Sequence, residues 1–190
     1  MADSKKAGSD ISRTKEAYLL EGLLSPKDCA QCKYCCSCRR SSLWENVIFD
    51  DELFDRVSRD YPEAKFMVVL RGGRPARMLD FSGLYKTDDP EEEALCFFNR
   101  DGCVLGGEKP FECAIWPLRV MRKDDALVLG CCLDCPIFAG IETDRVRRFI
   151  REKRLDRMIF DYIAEHPEAV KPYRDNYRLI ITEQDVSRCE

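Results

Sequence analysis

What this chain has little of narrows its chemistry first. It holds a single histidine, His166, in 190 residues. That scarcity speaks against a zinc hydrolase with histidine ligands, a Cys–His protease and a choice of Ser–His–Asp triads. No stretch approaches roughly 18 uninterrupted apolar residues, so no membrane span is expected. Met1 to Asp10 is polar, and Lys5 and Lys6 are followed by no apolar run, which predicts no secretory signal peptide. The expected compartment is therefore the cytoplasm, where thiols stay reduced. Phosphate-binding glycine loops are missing too: Gly72-Gly73 and Gly106-Gly107 read as turn glycines. There is no excess of positive charge. A net charge of −4 makes general nucleic-acid binding unexpected.

Against these absences stand twelve cysteines. At about 6% of the chain they are too sparse for a dense disulfide scaffold, which runs at roughly 8–10% or more. Nor does a chain of this size need a staple, since it can bury about 70% of its unfolded surface. In a reduced compartment clustered cysteines read as metal ligands or redox centres.

Patterning predicts an α+β fold, a small irregular single domain organised around cysteine-bound metal, with a C-terminal helix. Residues 1–12 read as a disordered tail and 13–186 as the metal- or cluster-binding domain. A short helix is expected over Thr14–Leu24, stopped by Ser25-Pro26, with a cysteine loop over Cys29–Cys38. Leu53, Phe54 and Val57 predict a helix over Asp51–Arg59. Lys65–Leu70 and Arg77–Phe81 flank Gly72-Gly73 as a hairpin. Cys96–Pro117 reads as turns and short strands, Ala126–Gly130 and Tyr177–Thr182 as strands, and Thr143–Glu165 as one long amphipathic helix. The arginines of that helix, Arg145 to Arg157, interleave with acids and read as a solvated face.

The cysteines fall into three groups. Cys29, Cys32, Cys35 and Cys36 spell C-x2-C-x2-C-C; two-residue spacers let the chain curl so that sulfurs point at one centre. Cys96, Cys103 and Cys113 follow, with Asp101-Gly102 as a turn and Pro110 opening a helical turn that aims Cys113. Cys131, Cys132 and Cys135 form the third group, with Cys132-x2-Cys135 as a second knuckle half. Cys38 and Cys189 read as bystanders.

The order Cys29-x2-Cys32-x2-Cys35-Cys36, Cys96-Phe97-Phe98 to Gly102-Cys103, and Lys109-Pro110-x2-Cys113-x3-Pro117 resembles the CxxCxxCC cysteine-cluster family. Its YkgJ-like members are described as zinc- or iron-chelating, and a related cysteine region occurs in flagellin lysine N-methylases. The family's usual Arg-Pro stands here as Lys109-Pro110, and Ala114 follows Cys113 where the family often has arginine. The resemblance implies a metal or cluster site without a defined reaction.

Two ligand chemistries remain open. The paired C-x2-C units suit zinc. All-thiolate donors, the three-step spacing and apolar neighbours such as Phe97, Phe98, Phe111, Ile115 and Trp116 suit an iron–sulfur cluster, 4Fe-4S by type. The expected cluster-binding residues are Cys29, Cys32, Cys35, Cys36, Cys96, Cys103 and Cys113, with Cys131, Cys132 and Cys135 added as metal ligands. One or two such clusters would serve electron transfer, or make the chain an accessory to a larger enzyme. The expected partner is thus a redox or enzyme protein, with no membrane and no nucleic acid. The alternative is a zinc-stabilised interaction module without chemistry. A lysine methyltransferase stands third, because no glycine-rich S-adenosylmethionine loop is present. No catalytic residue is assigned.

Overall fold

A computed structural model describes residues 18–42 and 44–187. The expected tail over 1–12, the domain start at 13 and Cys189 lie outside the described residues, as does the side chain of Cys29.

Of the helix expected over Thr14–Leu24, residues 14–17 lie outside the described residues; 19–23 form turns with Leu20 and Leu24 buried, and the first described helix begins where a stop was expected. This is α1, Pro26–Cys32. Proline at the first helical position loses no hydrogen bond, because that N–H has no partner in any helix. Ser25 and Asp28 close a reciprocal cap: Asp28 N–H donates to Ser25 Oγ (3.2 Å) and Ser25 N–H to Asp28 Oδ2 (3.2 Å). The predicted cysteine loop is therefore ordered as α1, a 3-10 turn over Tyr34–Cys36 and strand β1 (Ser37–Arg39).

Strand β2 (Ile48–Phe49) leads into helix α2 (Asp51–Asp60), where Leu53 N–H donates to the Asp50 carboxylate at 2.9 Å. Its Leu53 and Val57 turn inward, and each such side chain contributes about 1.5–3 kcal/mol when buried. Next comes the expected hairpin, β3 (Phe66–Arg71) and β4 (Arg74–Leu79). Gly72 and Gly73 both take positive φ, 55° and 78°, the conformation that a two-residue hairpin of native twist requires. Strand β5 (Glu93–Leu95) and the short helix α3 (Phe111–Ala114) frame the second cysteine region.

Strands β6 (Leu118–Lys123) and β7 (Ala126–Cys132) form an antiparallel hairpin, so the third cysteine group starts inside a strand. The region expected as one helix is two, α4 (Thr143–Glu152) and α5 (Leu155–Glu165). A continuous helix would bring Lys153 and Arg154 onto the stripe carrying Val146 and Ile150. Arg154 instead adopts φ 54°, which resets the phase so that Leu155, Ile159 and Ile163 face inward. Strands β8 (Lys171–Pro172) and β9 (Tyr177–Thr182) and helix α6 (Glu183–Ser187) complete the described residues.

The fold is α+β, with three small sheets among the described residues: β1-β5, β2-β4-β3 and β8-β6-β7-β9. Helices α4 and α5 cover the four-stranded sheet, with Val146, Ile150 and Ile159 packed among Leu129, Ile180 and Ile181. Register shifts where β7 meets β9 at Leu129/Gly130, and a Cβ on Gly130 would stand 2.6 Å from Met121 Cε. A second core joins α2 to the β2-β4-β3 sheet through Phe49, Leu53, Val57, Leu79, Phe81 and Phe98. Among the described residues, no helix is long and apolar enough to cross a membrane.

Candidate metal centre

Backbone pairing assembles the site. Strands β1 and β5 run antiparallel with Ser37 opposite Leu95, and the next rung is Cys96 N–H donating to the Cys36 carbonyl at 2.6 Å. Cys36 and Cys96 thus lie side by side across the end of a two-stranded sheet. The chain then turns back through Asp101 (φ 56°) and Gly102 (φ 131°), and Cys103 bridges to Asn99. The tight return is what the Asp-Gly pair was expected to supply. A Cβ on Gly102 would reach Ala30 at 3.6 Å, so α1 is seated against this turn. The Pro110 carbonyl accepts from Cys113 and Ala114, starting α3 and setting Cys113 on its inner side.

These pieces enclose a cavity of about 620 Å3. Cys35, Cys36, Cys38, Cys96, Cys103 and Cys113 line it, together with Phe98, Leu105 and Trp116. The Cys36, Cys96 and Cys103 sulfurs feel one another's charge, and Cys113 feels Cys103 and Cys96. Among the described residues, no three His, Cys, Asp or Glu side chains already stand in a metal-holding group.

Local hydrogen bonds suit sulfur as an anion. Cys96 accepts from the amide of Phe98, and Cys103 from the amides of Leu105 and Gly106. Donors two and three residues ahead of a cysteine are what a tight turn around a thiolate presents. Cys36 accepts from the Cys35 thiol, which lowers its pKa to about 6 against the cost of burial; Asn99 and the charge of Lys109 add to the lowering. Burial dominates at the others: Cys96 is pushed up to about 12, and Cys103 and Cys113 are raised. Lys109 and Arg119 oppose that rise at Cys113.

Beneath the cavity lies a charged cluster that sequence reasoning missed. Glu112, only 3% exposed, accepts from Arg119 at 2.5 Å and from the Ile48 amide at 2.8 Å, and Lys171 Nζ stands at 3.5 Å. Lys171 Nζ also donates to the Asn46 carbonyl at 2.6 Å. Glu112 therefore ties β2 to β6 and β8, joining two sheets directly behind Cys113. Burial lowers the Lys171 pKa to about 7, although Glu112 pulls the other way. The only hint in the sequence was an acid set in the apolar run Phe111–Leu118.

The expected ligands divide. Cys35, Cys36, Cys96, Cys103 and Cys113 are brought together. Cys32 is half-buried at the end of α1 and is not part of the lining. Cys131, Cys132 and Cys135 are buried elsewhere. Successive side chains of a strand point to opposite faces, so Cys131 joins the main core with Cys135 while Cys132 packs with Trp116 and Tyr177. Cys38, expected as a bystander, is buried yet also lines this cavity and lies within reach of the charge of Cys96; its thiol donates to the Ser42 carbonyl at 3.3 Å. His166 caps α5, its ring tilted against Tyr162 and 3.3 Å from Glu168. Compared with family models, curated proteins and solved structures, the chain matches none.

Proposed function

We propose that this chain is a thiolate metal-centre protein whose cavity holds an iron–sulfur cluster on Cys36, Cys96, Cys103 and Cys113. One observation carries the reading: four sulfurs from separate chain segments face one cavity, where turn amides donate to two of them. The apolar part of the lining, Phe98, Leu105 and Trp116, favours a cluster over a single zinc ion, which tolerates solvent. Apolar shielding of that kind keeps water from a cluster and tunes its potential. When bound, such a cluster supplies one-electron transfer through thiolate-ligated iron.

The chain's own residues do the rest. Lys109 and Arg119 offset the negative charge of a thiolate set, and Glu112 holds Arg119 in place from below. Phe98 and Trp116 limit solvent. The role that fits is electron transfer, or service as an accessory to a larger enzyme, with a redox or enzyme protein as partner. Ten of the described cysteines stand outside any disulfide, which suits a reducing cytoplasm.

Purification without oxygen tests this directly. The expected protein is brown, with absorbance near roughly 400 nm and iron and sulfide in equal amounts. Colourless protein with one zinc per chain would keep the thiolate centre and overturn the cluster. Protein that takes up neither would overturn the centre itself.

A further inference from the structure

Two adjacent cysteines separate the surface of this site from its interior. Cys36 is half-buried and bonded to Asn99; Cys35 is exposed, yet lines the same cavity and donates its thiol to the Cys36 sulfur. The 3-10 turn over Tyr34–Cys36 explains the division. Successive side chains there rotate by about 120°, so neighbours cannot face the same point. Facing the pair are two cations. Arg119 lies within reach of the charge of both Cys35 and Cys113, and Lys109 acts on Cys36, Cys103 and Cys113. Metal–thiolate complexes of small molecules are anionic, and Lys109 in the cavity wall is of opposite charge to them, whereas Arg119 is buried below against Glu112.

We infer that Cys35 is the exchange thiol of the centre, taking a metal ion from an incoming small-molecule thiolate complex and handing it to Cys36. The inference rests on the thiolate centre proposed above. In the first step a Cys35 sulfur–metal bond forms as one donor sulfur–metal bond breaks, and the Cys35 proton leaves with the released donor thiol. In the second, a Cys36 sulfur–metal bond forms as the Cys35 bond breaks, and Cys35 regains a proton. No electron moves in either step. Cys96, Cys103 and Cys113 complete the ligation. The existing hydrogen bond between Cys35 and Cys36 makes the second step local, at an effective concentration that an external thiol does not reach.

The test uses the full chain, reduced and metal-free, mixed without oxygen with zinc(II) as its glutathione complex. Protein-bound zinc is measured over time in quenched samples, for the wild type and for Cys35→Ser. The expected result is the same final zinc content in both, reached roughly tenfold or more slowly in the variant. Equal loading rates would overturn the inference and leave the centre standing. A variant with lower final zinc content would also overturn it, by making Cys35 a permanent ligand. Wild-type protein that takes up no zinc would overturn the exchange thiol, and the iron and sulfide content of protein purified without oxygen would still decide the centre. Circular dichroism of Cys35→Ser checks that the fold is kept.

Discussion

Two sets of cysteines in this chain have opposite characters, one half-buried and the other buried. Cys36, Cys96, Cys103 and Cys113 sit at strand ends, in a turn and on a one-turn helix, and their sulfurs look into a shared cavity. Cys131 and Cys132 end the inner strand β7 of the main sheet, pointing to opposite faces among Leu118, Phe138 and Ile180 on one side and Trp116 and Tyr177 on the other. The turn around a thiolate is not what separates them. Cys132 also accepts from amides two and three residues ahead, those of Asp134 and Cys135. What Cys132 lacks is the other segments: a knuckle turn becomes half a site only where further sulfurs arrive from elsewhere in the fold.

The comparison is broken most sharply by removing ligands. Cys96→Ser or Cys103→Ser is expected to abolish metal retention, since structural thiolate sites bind with roughly 10–16 kcal/mol. Cys131→Ala is expected to leave the metal content unchanged. Metal analysis of the two purified variants decides; equal losses would erase the distinction. Next in size is Glu112→Gln, which leaves Arg119 and Lys171 buried without their counter-charge. Urea unfolding should show a loss of about 3–5 kcal/mol, the cost of breaking a buried ion pair by removing one partner.

Smaller effects sharpen the contrast. Cys131 is fully buried beside Leu118 and Leu129, and Cys131→Ala should lower the unfolding free energy by about 1–2 kcal/mol through the void it leaves. The smallest effect is one of pH. Burial pushes the Cys131 thiol from its ordinary 9.0 up to about 12. Above pH 9 the unfolded chain loses this proton while the folded chain keeps it, so stability falls as pH rises from about 9 towards 12. Cys131→Ala should flatten that alkaline slope by up to one proton. An unchanged slope measured by denaturant titration at several pH values would show that Cys131 ionises without hindrance in the fold.

Much of this was legible beforehand, for local reasons. The α+β class, helix α2 behind its Asp cap, the hairpin at Gly72-Gly73 and the strand at Tyr177 follow from periodicity and turn chemistry, which act over a few residues. The Asp101-Gly102 return and the Pro110 start of α3 were readable for the same reason. Two errors share a different cause. Pro26 reads equally as a helix stop and a helix start, and only the Ser25–Asp28 cap decides. The break at Arg154 has neither proline nor glycine; packing of Ile150 and Leu155 on one sheet imposes it. The buried Glu112 cluster was invisible because its partners Lys171 and Asn46 are distant in sequence and meet only across sheets.

By itself, the sequence determined the chemistry available: twelve cysteines and one histidine confine any bound metal to sulfur-rich ligation. It also determined the short turns that aim single sulfurs, because those depend on glycine, proline and aspartate at fixed offsets. Only tertiary structure decided which sulfurs share a cavity. The β1-β5 pairing sets Cys36 beside Cys96, and the alternation of strand β7 sends Cys131 and Cys132 into different cores. Spacing along a chain restricts the direction of one side chain, whereas convergence of several depends on how sheets pack.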